Sequence, residues 1–201
     1  MNEQLVTQDV FSCIHHHFQN KSIDIIPCNI GLSPIEDMLR TEVGSEMTLS
    51  EILSPVIGEY DYIIMDTSPS LGLLLINALS ASDGVLITVN PQFLSVMGLE
   101  ALIKTINKIQ RRVNSRLEIL GILLTMCDSR TKLFKDIKAA LEEVYSGSLP
   151  FFETHIPYST KVGEANLNRL SVIEYSPDNK AALAYLDLAE ELRKKDSKVL
   201  T

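Results

Sequence analysis

Gly84–Val89 (GVLITV) is an apolar run without the polar alternation of a half-exposed strand. Such a run belongs in a parallel sheet covered on both faces. Leu117–Met126 (LEILGILLTM) has the same character. Between the two runs, from Ser95 to about Val113, Leu99, Leu102, Ile103, Ile106 and Ile109 recur at the helical period. Strand, amphipathic helix and second buried strand make a βαβ unit, so the chain must bury a sheet between helices.

The rest of the chain extends that alternation. Residues 5–18 read as a short helix, and Ile23–Ile26 as a strand closed by Pro27. Ser33-Pro34-Ile35-Glu36 and Thr48-Leu49-Ser50-Glu51 read as helix starts of the capping-box type. The second of these helices runs to about Ile57. Tyr60–Asp66 (YDYIIMD) is the best strand of the first half, followed by a helix over Leu71–Leu79. Lys132–Tyr145 reads as a helix, Phe151–Ile156 as a short strand and Val162–Arg169 as a helical turn. Asn179–Lys195 closes the chain, with Ala182, Leu183, Leu186, Ala189 and Leu192 as its apolar stripe. The expectation is one α/β domain over residues 1–201, built on a doubly wound, mostly parallel sheet.

Composition excludes several classes. Basic residues number 18 against 26 acidic ones, for a net charge of −8. A field of that sign repels nucleic acid and anionic lipid, so any polyanion must meet a local basic patch. Three cysteines, Cys13, Cys28 and Cys127, without C-x-x-C spacing fit reduced thiols in a cytosol. No apolar run reaches the length of a membrane span, and the N-terminal sequence lacks the order of a signal peptide. Cys13 with His15, His16 and His17 invites a metal reading. Successive helical positions diverge, however, and a polar helix surface is the better reading. The sequence has no G-x-S-x-G, which leaves a hydrolase of the α/β type without its nucleophile.

The nine glycines are scattered, and no two lie closer than 12 residues. That spacing rules out a glycine-rich phosphate loop within these residues. Asp66 nonetheless stands where a doubly wound sheet binds ligands, at the carboxyl end of an apolar strand. A carboxylate there either caps the next helix or holds a cation such as Mg²⁺.

Tyr60–Leu102 (YDYIIMDTSPSLGLLLINALSASDGVLITVNPQFLSVMGLEAL) resembles the Walker-B and switch II region of the ParA/Soj family of partition ATPases. Asp66, Pro69, Ser70, Leu71, Gly72, Asn77, Ala78, Leu79, Asp83, Gly98 and Leu99 match the family pattern; Ser68 replaces its first proline. LEILGILLTMCDSRT (Leu117–Thr131) resembles the family element ending T-M-x-D-x-R-T, and IPYSTKVGEA (Ile156–Ala165) resembles I-P-R-N-V-R-L-S-E-A. The resemblance runs from about Ser22 to Lys195, with MinD-like proteins as the nearest alternative.

The resemblance implies a P-loop NTPase fold that binds ATP and Mg²⁺ as a dimer. Asp66 would be the Walker-B carboxylate, meeting Mg²⁺ through water. Thr67, Ser68, Pro69, Ser70 and Gly72 would form switch II. Met126, Asp128, Pro157 and Tyr158 would flank the nucleotide base, and Arg130 and Lys161 would contact DNA. Tyr158 stands where the family has a further arginine. The implied partners are non-specific DNA, a ParB-like centromere-binding protein, and either a second copy or a full-length ParA, with no membrane. The implied location is the bacterial cytoplasm, at the nucleoid.

The family's first strand, its P-loop lysine and its second strand have no counterpart here. About 55 to 60 residues before Met1 would restore an ordinary family length. The expectation is therefore that this chain neither binds nor hydrolyses ATP alone and has no cofactor of its own. The alternative is a regulatory module that pairs with a full-length partition ATPase or its centromere-binding partner.

Overall fold

The computed structural model describes residues 10–16, 23–28 and 32–199. They form two compact units, one of residues 1–83 with 105–117, the other of residues 84–104 with 118–201.

In the first unit, β1 (His15–His16) pairs antiparallel with β2 (Asp24–Ile25), and helices α1 (Leu32–Leu39), α2 (Thr48–Leu53) and α3 (Leu73–Ala81) follow. Val10, Leu53 and Val56 are its buried centre, with Leu49, Tyr60, Met65 and Ala81 packed on them. Several expectations need correction. Val10–Cys13 is a 3-10 turn leading into β1, so the helix over 5–18 does not extend through its described part. His15 therefore lies on a strand, and no cluster of three metal-ligating side chains exists among the described residues; His17 lies outside them.

Tyr60–Asp66 forms no strand. A strand needs a hydrogen-bonded neighbour as well as apolar composition, and among the described residues none runs a ladder beside it. Tyr60 is held by its hydroxyl, which donates to Asp24 Oδ2 at 2.6 Å, and Met65 by packing. Between them Ile64 stays 91% exposed.

The capping boxes also differ. Helix α1 begins at Leu32, one residue before Ser33, and Glu36 turns its carboxylate to the Leu73 N–H at 2.7 Å, capping α3 instead. Thr48 is the first residue of α2, and its hydroxyl donates backward to the Ser45 carbonyl.

In the second unit, β3 (Gly84–Val89) and β4 (Glu118–Leu124) pair in parallel from Gly84↔Glu118 to Val89↔Leu124. Helix α4 (Phe93–Arg112) joins them and is shared between the units; Leu99, Ile106 and Ile109 of its stripe are buried. On the other side of β4, the segment 150–157 runs parallel to it. Ile122 N–H donates to Pro150 O, Phe152 N–H to Ile122 O, and Ile156 N–H to Leu124 O, at 2.9 to 3.0 Å. Helices α5 (Lys132–Tyr145), α6 (Thr160–Leu167), α7 (Val172–Tyr175) and α8 (Lys180–Val199) complete the unit. The parallel sheet with intervening helices is the α/β class that the sequence predicts.

The buried face of α8 keeps Ala182 and Leu192 of the expected stripe but not Leu183 and Leu186. Ala181, Ala182 and Ala184 are buried and Leu188 and Leu192 pack on the Leu123–Phe152–Ile156 cluster, whereas Leu183 and Leu186 are nearly half exposed. Ala184 belongs to the Leu123–Phe152–Ile156 cluster, and Ala182 packs with Ala165 and Val172.

Candidate functional site

The candidate residues fall into two groups, one in each unit. In the first unit, Asp66 and the turn Thr67, Ser68, Pro69 and Ser70 are exposed, and Gly72 is half-buried at the entry to α3. Ser68 Oγ accepts the Ser70 N–H at 3.3 Å, which shapes the turn. A Cβ on Gly72 would stand 2.9 Å from the Glu36 carboxyl carbon, so glycine is what lets Glu36 reach the helix end. Asn77 holds the far side of α3. Its Nδ2 donates to the carbonyls of Ser45 (2.8 Å) and Leu73 (3.1 Å), and its Oδ1 accepts the Leu49 N–H at 3.0 Å.

Asp66 offers an exposed oxygen of the hard type that Mg²⁺ takes. That ion keeps most of its shell as water and phosphate and needs no cage of side chains. The lone carboxylate fits that demand.

In the second unit two loops are brought together. The end of β4 continues through Thr125, whose N–H donates to Val89 O, into Met126 with a left-handed φ of 55°. A non-glycine residue in that conformation costs about 1–2 kcal/mol. It turns the Met126 side chain outward, 63% exposed, where Asn90 Nδ2 approaches Sδ at 3.8 Å. Cys127 then bridges in parallel to Pro157: its N–H donates to Ile156 O at 3.0 Å, and its carbonyl accepts the Tyr158 N–H at 2.9 Å. Met126 and Tyr158, both largely exposed, thus lie on loops joined at one bridge. The Cys127 thiol beneath is buried, and burial pushes its pKa up to about 11.

Both candidate cations are already paired. Asp128 accepts Arg130 Nε at 2.9 Å and Nη2 at 3.0 Å, which holds its carboxyl below the ordinary value and the guanidinium above its own. Lys161 Nζ donates to Glu164 Oε2 at 2.7 Å, and the Tyr175 hydroxyl donates to the same oxygen at 3.0 Å. The helix starts beside them are capped by Thr131 for α5 and Ser159 for α6. Asp128 as a partner of Arg130, Glu164 as a partner of Lys161, and Asn90 beside Met126 were not singled out in the sequence. Only the Lys161–Glu164 spacing of three residues on a helix carried a signal.

The edge segment that ends in Pro157 and Tyr158 is fixed from α8. Glu191 accepts the N–H groups of Glu153 (3.0 Å) and Thr154 (3.1 Å). One turn on, Lys195 Nζ donates to Leu120 O at 2.7 Å and sits 3.8 Å above the Phe152 ring centre.

Known proteins resemble this chain in sequence and fold. The AAA domain family matches residues 2–119. The sporulation initiation inhibitor protein Soj of Bacillus subtilis is 38% identical over 172 residues, covering 86% of this chain and 67% of Soj. The chain belongs to the ParA/Soj family of partition ATPases. The chromosome partitioning protein ParA of Myxococcus xanthus is 33% identical over 182 residues, which are 90% of this chain and 64% of that protein. Among solved structures, cobyrinic acid a,c-diamide synthase of Mycobacterium smegmatis with bound ADP and magnesium superposes with a TM-score of 0.76 at 27% identity, covering 92% of this chain and 67% of that one. The fold is that of the ParA/MinD-like P-loop NTPases. The chain spans 55% to 67% of the length of the curated relatives it matches. Among the described residues no helix is long and apolar enough to cross a membrane.

Proposed function

We propose that this chain is the switch and base-recognition part of a ParA-like ATPase of DNA partitioning. The observation that carries this reading is the Cys127–Pro157 bridge, which joins the two loops that the family resemblance assigns to the nucleotide base. Met126 and Tyr158 supply apolar surface for a purine face, and Asp128 can accept from its exocyclic amine. Asp66 would hold a water of the Mg²⁺ shell, and Thr67 to Gly72 would form the turn that responds to the terminal phosphate. Mg²⁺, when bound, neutralises charge on the phosphates. Arg130 and Lys161 give an acidic protein its local contact to DNA phosphates, independent of sequence. The partners are a ParB-like protein and a second ParA-type subunit, in the cytoplasm at the nucleoid.

The 201 residues contain no P-loop lysine. Phosphoryl transfer depends on such positioned charge, so the chain alone does not turn over ATP. A second reading, a non-catalytic module that pairs with a full-length ParA, draws support from Ile64, 91% exposed beside Asp66.

Titration of the purified chain with a fluorescent ATP analogue and Mg²⁺ tests the first reading. Against the sequence expectation that the chain alone binds no ATP, the two base loops should give weak binding that Tyr158→Ala abolishes. Binding that ignores Tyr158→Ala would remove the base-pocket assignment. Co-purification with a full-length ParA, without nucleotide binding, would favour the second reading.

A further inference from the structure

Arg130 and Lys161 are the cations assigned above to phosphate, yet neither stands free. Asp128 takes the guanidinium side-on through both oxygens and accepts the Arg130 backbone N–H at 3.2 Å as well. Glu164 takes the Lys161 ammonium while Tyr175 donates to the same carboxylate oxygen and lays its ring 5.9 Å from the ammonium. The two cations sit three and four residues beyond the bridged pair Cys127 and Pro157, so both latches hang from one junction.

We propose that Asp128 and Glu164 compete with the phosphate groups of DNA for Arg130 and Lys161. The inference rests on the DNA-contact reading of Arg130 and Lys161. Both pairs are exposed, with the Arg130 side chain 88% and the Lys161 side chain 44% accessible. Exposed ion pairs are weak and screened by salt, so a polyanion that gains by counterion release can displace them. Neither carboxylate is stranded by the exchange. Asp128 keeps the backbone N–H of Arg130, and Glu164 keeps the hydroxyl of Tyr175. Each pair is therefore net neutral at rest, and each cation meets a phosphate only by leaving its carboxylate.

The test compares Asp128→Ala and Glu164→Ala with Glu143→Ala, an exposed carboxylate of α5 that removes the same charge elsewhere. Binding to a fluorescein-labelled duplex is followed by anisotropy at low salt. Reaction of Arg130 with phenylglyoxal is followed by peptide mass spectrometry. Each latch variant is expected to bind the duplex about 2- to 5-fold tighter than wild type, the factor an exposed ion pair commands. Glu143→Ala is expected to change binding little, and Arg130 to react faster in Asp128→Ala. Equal gains in all three variants would overturn the proposal, as would an unchanged Arg130 rate. If no variant binds duplex but Arg130 labelling still accelerates, the DNA reading fails while the Asp128 latch stands.

Discussion

Tyr158 donates its backbone N–H to the carbonyl of Cys127 at 2.9 Å, 31 positions back along the chain. That bond, with the return bond from Cys127 N–H to Ile156 O, converts two separate loops into one surface. The Cys127 side chain is buried, and Met126 and Tyr158 are exposed.

The Cys127 thiol should be inert in the folded protein. Burial moves its pKa from 9.0 to about 11, which lowers its thiolate fraction about 100-fold before access is considered. Iodoacetamide at pH 8 should label the exposed Cys28 while Cys127 stays protected, and urea should abolish the difference. Equal labelling in the folded state would place Cys127 at the surface.

Gly121→Ala should destabilise the second unit. Gly121 has φ 145°, and an added Cβ would lie 3.0 Å from Pro150 O and 3.1 Å from the Phe152 ring. Backbone strain and overpacking together cost about 2–4 kcal/mol. A lower urea midpoint with an unchanged slope is the expected result.

Asn77→Ala should loosen the first unit. It leaves the Leu49 N–H and the Ser45 carbonyl without the partner they now have. Unsatisfied buried groups of this kind cost about 1–3 kcal/mol. Hydrogen exchange at the Leu49 amide should accelerate more than exchange in β4.

The α8 clamp should weaken in acid. Burial pushes the Glu191 carboxyl up, but the N–H donors of Thr154 and Glu153 outweigh it and hold the pKa below the ordinary 4.5. A depressed carboxylate contributes stability above its unfolded pKa and loses it as pH falls through the folded value. Protection of the Glu153 and Thr154 amides should therefore be full at neutral pH and fall below about pH 4.5. Glu191→Gln should show reduced protection with no such pH dependence.

Much of the second unit was legible because its signals are local. The run GVLITV reads as a strand from its own composition and pairs with β4, although only Ile87 and Val89 of it are buried, and Lys132–Tyr145 carries the helical period within itself. Tyr60–Asp66 was misread because a strand is defined by what pairs with it, and its apolar composition could not supply a ladder. The stripe of α8 was read only in part because its apolar residues recur on more than one face; Ala182 and Leu192 lie on the covered side and Leu183 and Leu186 do not. The cations Arg130 and Lys161 were found from the family pattern, whereas Asp128 and Glu164 as their partners required side-chain geometry.

The sequence by itself determined the α/β class, the family and the positions of the candidate residues, because these depend on period, composition and ordered motifs. Tertiary structure decided that Cys127 and Pro157 are neighbours, that Glu36 caps α3 and that both candidate cations carry their own counterions. Hydrogen bonds and ion pairs act over about 3 Å, and the Cys127–Pro157 and Glu36–Leu73 contacts join residues 30 and 37 positions apart, whereas the two ion pairs are local and depend on side-chain conformation. Only folding brings such groups within that distance.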